Sequence, residues 1–319
     1  FCLVRAVDQK LFEFPRERQS LVEGEQSGWT NFPPAVFQDM KRVGAIISTN
    51  GAEVVNPVFL AKYEKGRAYG TLVYPNALAG AVLLIFPAAM VLIWNGTRRL
   101  RGLIRAMAIG LILFLGGAAL LWSGSKSGWL IAILLGVLCF WRMPWPVGVK
   151  RGVLLALVII GLVGFGIRFH SYFQKGATSV VARFDYWRAA GQITVQHPVV
   201  GSGPGTFQRP YADLKSPEAE MARLTHNDYL QQFSDSGLIG GISYVSWIIL
   251  WISLVGRHVF KKNGLRFAIF LGVLGWLVQG MTEFGLYVPA LAWTAFALMG
   301  WLIQNDSTKA SSPDNLSVR

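Results

Sequence analysis

The run Leu238-Ile-Gly-Gly-Ile-Ser-Tyr-Val-Ser-Trp-Ile-Ile-Leu-Trp-Ile-Ser-Leu-Val-Gly256 holds nineteen residues without a charge, and Arg257 ends it. A helix needs around 20 mostly apolar residues to cross a hydrocarbon core of about 30 Å. The run therefore reads as a membrane span, not as a helix of a soluble core. Six further stretches repeat the pattern, at approximately 77–94, 106–122, 129–141, 152–167, 267–281 and 286–303, and none contains Asp, Glu, Lys or Arg. The stretch at 129–141 is short and borrows Ser127, Gly128 and residues up to Pro144. Across all 319 residues 53% are hydrophobic and only 15% charged, against about 25% charged in soluble domains. That balance excludes a soluble globular, disordered or collagen-like chain.

The spans divide the sequence. An extracytoplasmic segment, 1–76, precedes four transmembrane helices in 77–167. A large loop, 168–236, separates them from three more in 237–303, and a polar tail, 304–319, closes the chain and reads as disordered. Two cysteines, Cys2 and Cys139, provide neither a disulfide framework nor a metal site. The sequence begins with Phe1, without a signal-peptide pattern. It reads as lacking its true N-terminus and earlier membrane helices.

The net charge of +13 would point to nucleic acid in a soluble protein. Here its position decides otherwise. Arg98, Arg99, Arg101 and Arg105 follow the first span, Arg142, Lys150 and Arg151 the third, and Arg257, Lys261, Lys262 and Arg266 the fifth. Those three turns contain no acid, whereas the opposite short turns, 123–128 and 282–285, hold only Lys126 and Glu283. Positive turns stay in the cytoplasm. Segment 1–76 and loop 168–236 then lie outside the membrane, and the charge excess records orientation, with no nucleic-acid partner.

Within the loop, Ser179 to His197 reads as a helix capped by Ser179 and stopped by Pro198. Val180, Phe184, Trp187 and Ala190 or Gly191 make its apolar face, with Arg183 one turn before Trp187. The plain reading is an interfacial amphipathic helix with a solvated Arg183 stacked on Trp187. Gly201-Ser-Gly-Pro-Gly-Thr-Phe207 follows. Its glycines, Gly203 and Gly205 among them, could turn amides toward an anion, but a tight turn that positions its neighbours is the favoured reading. Thr225 and Asp228 resemble a capping box, which puts His226 in the first turn of a helix ending near Gly237. A helix N-terminus favours a neutral imidazole able to accept a proton and attracts anions such as phosphate.

Lys126 lies in the outer turn Ser123-Gly-Ser-Lys-Ser-Gly128. It either snorkels to the headgroups or holds an anionic headgroup. Two cations and a histidine at one membrane surface suit transfer from a lipid phosphate. The cations stabilise a departing pyrophosphate, and the histidine deprotonates an attacking hydroxyl. No paired carboxylates of glycosidase type and no metal-ligand cluster stand out.

These residues also form an ordered set. Arg183-x-x-x-Trp187, Pro198-x-x-Gly201-x-Gly203-x-Gly205-x-Phe207, His226-Asn227-x-Tyr229-Leu230 and Gly237-x-x-Gly240 closely resemble the O-antigen ligase and O-antigen polymerase family of membrane glycosyltransferases. Tyr74-Pro75-Asn76-x-Leu78-Ala79 resembles that family's Pro-Asn start of a membrane helix, and Ser125-Lys126-Ser127-Gly128 its Ser-Arg-Gly turn. The resemblance spans about residues 65–300. It implies an all-α, polytopic, GT-C-like fold of more than seven spans, and transfer of a glycan from undecaprenyl diphosphate to a lipid or glycan acceptor. It implies no metal, cofactor or nucleotide sugar. By position, Arg183 would hold the diphosphate and His226 would act as base or orient the acceptor. Trp187, Gly203, Gly205, Asn227 and Asp228 would support them. Lys126 keeps the charge of the family's Arg without its bidentate fork. Asp235-Ser-Gly237 replaces the common Glu-x-Gly.

The expected protein is thus a multi-pass glycosyltransferase of the bacterial inner membrane with its site facing the periplasm. A polymerase or a protein O-glycosyltransferase of the same family fits the same residues. A transporter or flippase of lipid-linked glycans would place charges inside spans, and none is there.

Overall fold

The computed structural model describes residues 2–49, 51–72, 74–174, 178–217, 219–260 and 264–310. The described chain falls into two compact units, one of residues 1–79 with 111–125, the other of 80–110 with 126–310.

The first unit opens with α1 (Cys2–Asp8), a π-helical turn (Gln9–Glu13) and α2 (Phe14–Gln26). α3 (Pro34–Arg42), a hairpin of β1 (Ile46–Thr49) and β2 (Ala52–Val55), and α4 (Pro57–Lys65) follow. The hairpin is antiparallel, with Ile46 opposite Val55. Leu21, Trp29, Ile46 and Val55 form its core, sealed by Phe32, Phe37, Met40 and Phe59. The Trp29 indole N–H donates to Glu53 O at 2.7 Å, fastening α2's end to the hairpin. Arg67 reaches Ser123 O with Nε (2.7 Å) and Asn76 Oδ1 with Nη2 (2.6 Å), so the Pro-Asn helix start is held by a named cation.

Every expected span falls on a helix. α5 (Pro75–Gly96), α6 (Gly102–Ser123), α8 (Val147–Gln174) and α11 (Asp228–Val259) are long and apolar enough to cross a membrane. α7 (Lys126–Trp141), α12 (Gly264–Gln279) and the apolar part of α13, Pro289–Gln304, are shorter apolar helices. Between α8 and α11 lie α9 (Thr178–Gln196) and α10 (Gln208–Leu214). The protein is an all-helical, multi-pass membrane protein, with the small hairpin as a local addition.

In the second unit α12 is buried on nearly every side, from Phe267 to Gln279. An all-round apolar helix is stable only when surrounded. Gly272 lets it approach the Leu84 carbonyl of α5, where any Cβ would collide with backbone. Trp251 of α11 stacks on Phe270 at 5.6 Å. The tail departs from expectation at its start, because α13 (Pro289–Ala310) carries helix past Gln304. Residues 311–319 lie outside the described residues.

Candidate functional site

α9 begins one residue before Ser179, and the Ser179 hydroxyl pairs with the Tyr172 hydroxyl at 2.7 Å instead of capping. The same Tyr172 oxygen accepts the Val180 N–H at 3.1 Å. The apolar face expected from Val180, Phe184 and Trp187 is not the one that is buried. Tyr186, Ala189, Ala190 and Ile193 are, packing on Phe207, Tyr211 and Ala222. Two successive alanines let α9 come close enough for Tyr186 to meet the Tyr211 ring edge-on at 5.5 Å. Trp187 rests at the border of this cluster, with Phe184 against its ring at 5.5 Å. Half-buried Asp185 knits α9 to the following loop by accepting from the Tyr211 and Ser216 hydroxyls at 2.8 and 2.7 Å.

The glycine loop behaves as a positioning turn. Ser202 N and Gly203 N donate to Ser234 O and Asp235 O of α11 at 2.9 and 3.0 Å. Gly205 N donates to the Asp235 carboxylate at 2.9 Å, so the anion it meets belongs to the chain itself. Those α11 carbonyls are accessible because the helix breaks at Gly237 (φ 66°, ψ −166°). Leu238 N then donates to Pro198 O at 2.7 Å. The helix expected to end near Gly237 therefore continues, kinked, into the span.

His226 is not in the first turn of that helix. The cap is Asn227, whose side chain accepts from Tyr229 N and Leu230 N, both at 3.0 Å. Thr225 uses its hydroxyl on Asn227 O at 2.7 Å. Asn227 wins because its extended backbone puts the amide oxygen directly below the orphan N–H groups of the next turn. His226 precedes the cap in a left-handed conformation, φ 52°. That costs of order 1–3 kcal/mol for a non-glycine residue and clusters at functional sites.

The conformation aims the ring into an aromatic and acidic corner. The imidazole stacks on Tyr186 at 5.8 Å and meets the edge of Phe284 at 4.7 Å. Its Nδ1 is buried and lies 3.6 Å from Glu283 Oε2. The other Glu283 oxygen accepts Arg183 Nη2 at 2.5 Å. Arg183 also donates Nε to Thr282 O and Nη1 to Ser179 O, both at 3.0 Å. Its guanidinium is thus committed to Glu283 and two carbonyls, not to Trp187. Three of the five guanidinium N–H groups are used, leaving donors for a ligand.

Lys126 opens α7 with its ammonium 3.8 Å above the Tyr172 ring. Through Tyr172 and Ser179 it joins Arg183, so the two cations and the histidine lie along one chain of contacts. Asp228 is buried, with Oδ2 accepting Leu286 N at 3.1 Å and its own N–H donating to Gly280 O at 2.7 Å. It therefore grips both ends of the turn that presents Glu283.

Glu283 is the residue that sequence reasoning missed. Counted only as a charge, it is 2% exposed and central. A signal was present, since it is the one acid in the short turns 123–128 and 282–285 and buried acids in a membrane protein are costly unless paired. Among the described residues no group of three or more His, Cys, Asp or Glu is placed to hold a metal.

Fold and site together define a polytopic helical membrane protein with an Arg–Glu–His cluster beside its spans. Residues 111–245 match the family model for O-antigen ligase, the family that the motifs resemble. No curated protein matches the chain significantly. The matched stretch contains Lys126, Arg183 and His226 and ends before Glu283. Over those residues the chain is therefore similar to the O-antigen ligase family.

Proposed function

We propose that this protein moves a glycan from undecaprenyl diphosphate to an acceptor hydroxyl on the periplasmic side of the bacterial inner membrane. The observation that carries this reading is the convergence of Arg183 and His226 on the single buried carboxylate of Glu283. Facing Glu283 with Nδ1, His226 has Nε2 to take the acceptor's proton. The acceptor oxygen then bonds to the anomeric carbon as the carbon–oxygen bond to the diphosphate breaks, which inverts configuration. Glu283 stabilises the imidazolium that forms, the leaving lipid diphosphate carries its charge to the remaining donors of Arg183, and Lys126 holds the diphosphate in ground and transition state alike. The reaction in this form uses side chains alone, with no cofactor. The topology follows from the basic turns, which keep their eleven cations in the cytoplasm.

The test is glycan transfer in proteoliposomes supplied with an undecaprenyl-diphosphate-linked glycan. His226→Ala and Arg183→Ala, expressed at wild-type levels, are expected to lose about 10²-fold or more in rate, the usual size of acid–base and charge-stabilising contributions. Full activity in both variants overturns the assignment. A polymerase or a protein O-glycosyltransferase would run the same chemistry on a different acceptor, and the product of the assay distinguishes them.

A further inference from the structure

α9 is apolar on two opposite faces. Tyr186, Ala189, Ala190 and Ile193 are buried in the loop's own core. On the far side, Val180, Phe184, Gly191 and Val195 recur at helical spacing and stay exposed, Phe184 by 61% and Val195 by 79%. A helix that is apolar all round is stable only where both faces are covered.

What covers the second face follows from the helix's ends. At its start, Tyr172 near the end of α8 accepts Val180 N–H, and exposed Phe173 stands beside it. At its finish, Pro198 O accepts Leu238 N–H where the α11 span begins, next to exposed Val199, Val200, Leu238 and Ile239. α8 and α11 are both long apolar helices with many exposed apolar side chains, the composition of a lipid-facing surface. The exposed stripe of α9 is therefore continuous at both ends with a lipid-facing surface.

We propose that α9 lies in the plane of the membrane interface, with Phe184, Val195 and Val200 sunk into the boundary between headgroups and acyl chains. Its nineteen residues reach about 28 Å at 1.5 Å per residue, enough to bridge two span ends. Amphipathic helices bury such a face by 5–10 Å. The placement deepens the proposed function and rests on it for one consequence. Arg183, adjacent to Phe184, sits at headgroup depth, where the diphosphate of a lipid carrier lies and a soluble sugar diphosphate does not.

The experiment uses the full chain in phosphatidylethanolamine–phosphatidylglycerol nanodiscs, with Cys2→Ser and Cys139→Ser as background. Single cysteines replace Phe184, Val195 and, as a water-facing control, Gln192, and each carries a spin label. We expect collision with oxygen to exceed collision with a water-soluble nickel chelate several-fold at 184 and 195, and the reverse at 192. Chelate accessibility at 184 and 195 equal to that at 192 overturns the proposal. Protection from both reagents also overturns it, because a protein segment or a second copy would then cover the stripe. The readout needs no catalysis, so its failure is separate from failure of the transferase reading.

Discussion

Asp228 and Leu286 are joined across 58 residues, the carboxylate Oδ2 accepting the backbone N–H at 3.1 Å. With the bond from Asp228 N–H to Gly280 O at 2.7 Å, one residue fixes both flanks of the Glu283 turn. Asp228→Ala leaves the part-buried Leu286 N–H without its acceptor, which costs about 1–2 kcal/mol. The expected outcome is a lower melting temperature in detergent together with slower transfer. Asp228→Asn, which keeps an acceptor oxygen, is expected to recover most of the stability.

Glu283→Gln tests the shared carboxylate. Removing one partner of a buried ion pair costs about 3–5 kcal/mol, and the residual exposure of Arg183 puts the expectation near 3 kcal/mol. Transfer should fall more than a stability loss alone explains, because His226 loses the charge that stabilises its protonated form. Single-turnover rates at a temperature where the variant is fully folded separate the two effects.

How much of this was legible in the sequence depends on whether the signal is local. The seven apolar helices were legible because absence of charge over 13 to 19 residues needs no partner to be recognised. Arg183 and His226 were singled out as candidates through motifs a few residues long. Glu283 was not, because it meets Arg183 across 100 residues and nothing in Met281-Thr-Glu-Phe284 announces that contact. The cap at Asn227 was mistaken for Thr225 because both residue types cap helices and only backbone dihedrals separate them. The hairpin was missed, although Asn50-Gly51 between Ile46-Ile47 and Val54-Val55 is a strong turn signal.

The glycines of the loop are predicted to differ. Gly201 has φ 68°, and a Cβ there would meet the backbone of Asp235 and lie 2.5 Å from Ser236 N. At Gly237 (φ 66°) the Cβ would lie 2.5 Å from both C and O of Val199. Gly205 has φ 69° with nothing within 4 Å. Gly205→Ala should therefore cost only the left-handed strain, about 1–2 kcal/mol. Gly201→Ala and Gly237→Ala add overpacking of about 1–3 kcal/mol each. Since both press on the same loop–helix contact, the double variant should be less damaging than the sum. Thermal unfolding of the four proteins checks the order.

Asp185 predicts the acid behaviour of the loop. Burial raises its carboxyl, but the Ser216 and Tyr211 hydroxyls, the Ser216 N–H and Arg188 outweigh it and leave the group below its ordinary value. A depressed folded-state value stabilises above the unfolded value, near 3.9, and the contribution is lost as pH falls through the folded one. Burial, reinforced by Asp185, pushes Tyr211 upward, so its hydroxyl remains a donor through the alkaline range. Asp185→Asn should lower stability at neutral pH and remove this share of the decline below about pH 4. Unfolding midpoints of the two proteins at pH 3 and pH 7 should therefore differ less at the acid end.

Lys126 gives the sharpest separation between binding and chemistry. Its ammonium sits 3.8 Å over Tyr172, and such contacts contribute about 0.5–2 kcal/mol. The Tyr172 hydroxyl in turn pairs with Ser179, whose carbonyl accepts from Arg183. A cation that acts on the donor diphosphate in ground and transition state alike changes KM and leaves kcat in place. Lys126→Met keeps the stem and removes the charge, so KM for the lipid-linked donor should rise about tenfold or more, the size of one charge-assisted hydrogen bond of about 1.5 kcal/mol. Lys126→Arg restores a planar guanidinium able to grip two phosphate oxygens and should match or lower the wild-type KM. Tyr172→Phe keeps the ring beneath the ammonium but loses the bond to Ser179, which loosens Arg183 and should lower kcat. A Lys126→Met enzyme with unchanged KM would mean that the lysine only anchors α7 to the headgroups.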